Sequence, residues 1–172
     1  MTFKVAGLQF KTGELSGPGA VGSAVHVDGK FGIVCVSQQS QSHPLLLASF
    51  DIAQGGFGIR PYQQRPALVL GNELVFEADL TVPSEYGLPG AASGSECYYD
   101  GAGIYVRLHV DQVPHEWPML NLATGEVITY PPGQRAHVFK RWRLGVQGNG
   151  RVTWLLAVGA QLAAWSSDTL SK

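Results

Sequence analysis

Over residues 74–82, and again over residues 104–111, apolar and polar side chains alternate without a break. Leu74, Phe76, Ala78, Leu80 and Val82 fall on one side, with Val75, Glu77, Asp79 and Thr81 on the other. In the second stretch Ile104, Val106, Leu108 and Val110 oppose Tyr105, Arg107, His109 and Asp111. A period of two marks a β-strand, because successive Cβ atoms point to opposite faces. A strand that is apolar on one face and ionisable on the other belongs to an antiparallel sheet with one side on a core. Glu77 and Asp79 are therefore expected to face solvent or to pair across strands with Arg107 or His109.

Turn chemistry divides the rest of the chain into similar pieces. Residues 25–27 and 30–36 flank Asp28-Gly29, a dipeptide suited to the positive φ angles of a two-residue hairpin. Residues 45–50 are apolar on both faces, as a doubly covered strand requires. Residues 119–130 read as a hairpin about Ala123-Thr124-Gly125, stopped by Pro131-Pro132-Gly133. Residues 136–147, 151–159 and 162–165 read as a three-stranded meander turning at Gly148-Asn149-Gly150. Three stretches read as irregular: the Gly-rich residues 11–24, residues 53–66 with exposed-looking Phe57 and Tyr62, and residues 83–101. No helix longer than a turn or two is required, and no self-similarity marks a repeat. About ten short strands punctuated by turns predict an all-β chain, an antiparallel two-sheet β-sandwich of jelly-roll type with long Gly-rich loops. An N-terminal strand and Gly-rich arm occupy residues 1–24, and one sandwich domain fills 25–172.

Charged residues make up 15% of the 172, and glycine contributes 22. The usual charged share is about 25%. Two readings fit: an ordinary turn-rich β domain, or a surface covered in an assembly. With 12 Lys and Arg against 13 Asp and Glu, the net charge of −1 supplies no general field for nucleic acid or anionic membrane. The start, Met1-Thr2-Phe3-Lys4-Val5, lacks the features of a secretory signal, and no apolar run approaches the roughly 20 residues of a membrane-spanning helix. Cys35 lies in an apolar stretch and is expected to be a buried, reduced thiol. Its distance from Cys97 supports neither a disulfide framework nor a zinc site.

The segment Arg141-Trp142-Arg143-Leu144-Gly145-Val146, the turn Asn149-Gly150, the strand over 152–159 ending in Gly159, and the return over 162–165 resemble the concanavalin A-like lectin and laminin-G superfamily. Residues 76–82 and 103–110 are similar to its earlier sandwich strands, so the likeness spans about residues 70–165. It is a likeness of pattern, with no diagnostic motif. The resemblance implies a sandwich and a glycan-binding module. The general character is also similar to bacteriophage structural sandwiches.

Glu77-Ala78-Asp79 places two carboxylates on one strand face, about 7 Å apart by strand rise. That strand resembles the active-site strand of sandwich glycoside hydrolases. Thr81 and Val82 stand where those enzymes carry a further acid, which removes the acid/base. The five histidines, His26, His43, His109, His115 and His137, occur singly without metal-ligand spacing. Ser93-Gly94-Ser95 does not form a nucleophile elbow, and the glycine-rich stretches match no phosphate or dinucleotide loop. No catalytic set, metal or cofactor is expected. Arg135, Lys140, Arg141, Arg143 and Arg151, interleaved with Phe139 and Trp142, form the main cationic cluster. Arg141 and Arg143 share a strand face and are candidates for anionic sugar or an acidic partner, with a solvated face or subunit contact as the plainer reading. Tyr86, Tyr98, Tyr99, Tyr105 and Trp117 gather in or beside loops and are candidate glycan or partner contacts, with rim packing over the core as the alternative.

These features point first to a non-enzymatic, oligomeric assembly protein of the kind found in a bacteriophage virion, as a capsid decoration (cement) or tail-fibre component. The expected partners are further copies of the chain, as a trimer, and other virion proteins. A lectin-like carbohydrate-binding module is the alternative, and a polysaccharide hydrolase or lyase a weaker one. Neither nucleic-acid binding nor membrane insertion is expected.

Overall fold

The computed structural model describes residues 11–13, 20–37, 45–51, 56–62, 67–71, 73–81, 84–88, 96–109, 118–129, 134–148 and 150–159. These hold fifteen strands and no α-helix: β1 Lys11–Gly13, β2 Ala24–Val27, β3 Lys30–Ser37, β4 Leu46–Asp51, β5 Gly56–Pro61, β6 Ala67–Gly71, β7 Leu74–Ala78, β8 Glu85–Gly87, β9 Cys97–Tyr99, β10 Ile104–His109, β11 Pro118–Asn121, β12 Glu126–Thr129, β13 Ala136–Phe139, β14 Trp142–Gly148 and β15 Arg151–Val158. The chain is all-β and builds two sheets. A small antiparallel sheet, β15-β14-β7, shares one apolar core with a large sheet. Trp142, Leu144 and Val158 from the first pack with Ile33, Cys35, Ala48, Phe57, Val106, Leu108 and Leu120 from the second.

The expected hairpins form. Asp28 (φ 50°) and Gly29 (φ 77°) turn β2 into β3, and Gly125 (φ 72°) turns β11 into β12. Elsewhere tertiary context overrides local composition. Residues 53–66, expected as a loop, contain β5, which is held between β4 and β10 and buries Phe57. The irregular stretch 83–101 contains β8 and β9, and β13 leaves the predicted meander to pair with both. β1, inside the expected arm, is paired with β6. Residues 162–165 lie outside the described residues.

The large sheet is mixed, where a purely antiparallel one was expected. β3-β4-β5 and β10-β11-β12 are antiparallel meanders. Parallel pairs join them at both ends, β5 to β10 through Phe57↔Leu108 and β12 to β3 through Glu126↔Val36. Parallel pairing needs a long crossover, and the chain between β5 and β10 supplies one. These six strands therefore close into a hydrogen-bonded ring, which removes most free edges. From β3 the sheet extends through β2 and β6 to β1; from β10 it extends through β9 and β13 to β8. The two halves match strand for strand.

Strand β7 is shorter than its alternation suggests. At Asp79 the side chain Oδ1 accepts from the Thr81 amide (2.9 Å) and hydroxyl (2.6 Å), an Asx-type turn that ends the strand. Leu80, predicted on the core face, is instead 80% exposed.

Candidate functional site

Among the described residues, the exposed large hydrophobic side chains are Leu80 (80%), Leu88 (60%), Tyr86 (62%) and Tyr99 (43%). Three come from one stretch, residues 80–88, which leaves the Asx turn and forms the edge strand β8. The registers Tyr86↔His137 and His137↔Tyr99 place Tyr86, His137 and Tyr99 in one row across β8, β13 and β9. The Tyr86 and His137 rings lie 5.0 Å apart between centroids. Ser84 Oγ lies 3.3 Å from His137 Nδ1, and His137 is itself exposed. Tyr99 shares its strand face with the buried Cys97, so the row continues the main core's face beyond its apolar part. Glu85 points the other way and is bonded by Lys140, which holds the Lys140 ammonium above its ordinary value.

Of the aromatic residues expected to make contacts, the structure thus brings Tyr86 and Tyr99 together through His137. His137 stands alone in the sequence, and a lone His carries no signal until its neighbours are known. Tyr98 and Tyr105 are corrected to core residues, 0% and 5% exposed, packed with Met119, Ala136 and Val138. They point to the opposite sheet face from Cys97 and Val106, and that face carries a core of its own. The Tyr98 hydroxyl donates to Glu96 Oε2 (2.9 Å), and burial, reinforced by Glu96, pushes the phenol pKa up. Trp117 lies outside the described residues. Tyr62 is half-buried against a cluster containing Val25, Val34 and Leu47.

The arginines expected on an open face are tied into the small sheet. Arg143 Nη2 donates to both Glu77 oxygens at 2.9 Å, and its guanidinium stacks 3.8 Å above the Trp154 ring. Gly145 makes room for that ring: a Cβ there would come within 2.9 Å of Trp154 Cε3. Arg141 pairs with Asp79 at 3.1 Å. The partners of Glu77 and Asp79 are therefore Arg143 on β14 and Arg141 immediately before it, rather than Arg107 or His109 on β10. Both carboxylates serve the sheet, and Arg143, with its side chain 7% exposed, offers little surface to a ligand.

The Thr81 hydroxyl, then its amide, then Arg141 favour the Asp79 carboxylate and lower its pKa. A carboxyl depressed in the folded state contributes stability above its unfolded value and loses it as pH falls through the folded one. In Asp79→Asn the melting temperature should fall at neutral pH, and the gap to the wild type should close below about pH 4. Parallel melting curves down to pH 3 would count against this role.

Cys35 and Cys97 are free, buried thiols, with Cys35 pushed up to about 12 by burial. Among the described residues no group of three or more His, Cys, Asp or Glu side chains is placed to hold a metal ion. No helix in them is long and apolar enough to cross a membrane. The chain matches no family model, no curated protein and no solved structure in the comparisons made.

Proposed function

We propose that the chain is a non-enzymatic assembly protein that associates with further copies of itself through the exposed apolar side chains on and beside β8, Tyr86 and Leu88, together with Tyr99 of the same row. The observation that carries this reading is the concentration of exposed apolar side chains on and beside one short edge strand. Contiguous exposed apolar surface is expensive in water and marks interaction sites, and an edge strand also offers unpaired amides and carbonyls. The sparse charge of the sequence agrees with a surface that is covered in use. A virion role as a capsid decoration or tail-fibre subunit, in trimeric form, is the setting we propose for such a contact.

The test is light scattering on the full chain beside a Tyr86→Ser, Leu88→Ser double variant. The wild type should run as a defined oligomer and the variant as a monomer of 18.4 kDa with an unchanged circular-dichroism spectrum. A wild type that stays monomeric at every concentration would remove the self-assembly reading. A second reading, glycan binding, is favoured by the row Tyr86, His137 and Tyr99, because exposed aromatic faces stack on sugar rings. Glycan-array binding that is lost in Tyr99→Ala and kept in Leu88→Ser would assign the row to sugar instead.

A further inference from the structure

We infer that the chain is a tandem duplication, with residues 11–79 and 85–147 being two copies of one seven-strand unit wound about a two-fold axis as a covalently joined dimer. The pairings within the first unit, β1–β6, β2–β6, β2–β3, β3–β4 and β4–β5, recur as β8–β13, β9–β13, β9–β10, β10–β11 and β11–β12. Their registers agree except at a bulge between Ala24 and Val25, which the second unit lacks. Ala24↔Ile33 and Ile33↔Ala48 in the first unit correspond to Cys97↔Val106 and Val106↔Leu120 in the second. Val25↔Val69 likewise corresponds to Tyr98↔Val138.

Contacts between the units are reciprocal, as an isologous interface demands: if position i of one copy meets j of the other, then j of the first meets i of the second. His109↔Gly58 is answered by Val36↔Glu126. The bond from the Asp79 amide to the Arg141 carbonyl (3.0 Å) is answered by that from the Gln147 amide to the Glu73 carbonyl (2.9 Å). The axis passes between β7 and β14 at Phe76↔Leu144, where equivalent residues face each other.

The apolar clusters obey the same symmetry. The central core draws on both units, and each unit also has a lateral core at equivalent positions. Val25, Leu47 and Ala67 fill one, and Tyr98, Met119 and Ala136 the other. In the β2–β3 and β9–β10 turns the register makes Asp28 and Gly101 equivalent, and both have positive φ (50° and 87°). A trace survives in the sequence. Gln64-Arg65-Pro66-Ala67-Leu68-Val69 recurs as Gln134-Arg135-Ala136-His137-Val138, one proline shorter. What differs is also informative. Thr12, Leu68 and His26 stand in the first unit where the second has Tyr86, His137 and Tyr99, so the aromatic row occurs once per chain.

A two-fold pair of units is indifferent to which comes first in the chain, whereas a cut inside a unit splits one of the two building blocks. Two circular permutants of the full chain test this. In both, the native ends are joined by a flexible Gly/Ser linker of about 20 residues, spanning about 25 Å, and in a second series by one of about 40 residues. One permutant opens between residues 81 and 84, at the unit boundary; the other opens within residues 52–55, between β4 and β5. The boundary permutant should keep the wild-type circular-dichroism spectrum and melt about 10 °C or more above the other. A boundary permutant that melts no higher than its counterpart at either linker length would overturn the inference. The readout does not depend on self-association, so it stands apart from the test of the docking strip.

Discussion

Trp142→Ala should lower the free energy of unfolding by about 3–5 kcal/mol, read as a shift in denaturant midpoint at unchanged slope. The indole is 1% exposed, lies between Ala78 and Val158 in the small sheet, and its ring centroid is 6.0 Å from that of Phe76. It projects from that sheet into the core shared with the ring strands, so its removal opens a cavity that neither sheet can close alone. Typical domains are stable by about 5–15 kcal/mol, so the variant would sit near the threshold of folding. Trp142→Phe keeps an aromatic wedge and should lose about half as much. A loss below about 1 kcal/mol for the alanine variant would mean that the two sheets do not depend on this side chain.

Gly125→Ala should be a strongly damaging single methyl group at a hairpin turn. At φ 72° the backbone already disfavours an L side chain, and the added Cβ would lie 2.6 Å from Val21 Cγ1 and 2.7 Å from the Gly22 amide nitrogen. The second of these is main chain and cannot rotate aside. The same residue accepts the Val36 amide at 3.0 Å, so any retreat loosens the β12–β3 closure of the ring. Strain and displacement together should amount to about 3 kcal/mol. Gly150→Ala is the control, with φ 74° and nothing within 4 Å of the new carbon, and it should lose only about 1 kcal/mol. Equal melting temperatures for the two variants would show that the contact with residues 21 and 22 is unimportant.

The alternation that dominates the sequence was a faithful guide to the strands and to one face of each. It was silent on what covers the other face. Tyr105 alternates correctly with Val106 and still lies in a core, because the second unit buries both sides of its sheet. Phe57 reads as a loop aromatic because glycines surround it, and only the pairing of β5 with β10 makes it central. Leu80 fits the pattern of β7 but follows Asp79, whose carboxylate stops the strand, and a periodicity cannot register a hydrogen bond. Tyr86 and Tyr99 were visible as candidates, whereas the histidine between them belongs to a strand 38 residues beyond Tyr99, given by His137↔Tyr99. The duplication leaves no fixed period in the sequence, because the spacing drifts from 74 residues between Thr12 and Tyr86 to 68 between Phe76 and Leu144 as connections lengthen and shorten.

Closure of the six-strand ring has a consequence during synthesis. When the ribosome has released the first seven strands, the end of β3 awaits β12 and the flank of β5 awaits β10, neither of which has yet been translated. The nascent chain therefore carries unsatisfied strand flanks until about Thr129 has emerged, and its slowest steps must join segments far apart in sequence. For that interval the open flanks of β3 and β5 are exposed to pairing with a neighbouring polypeptide.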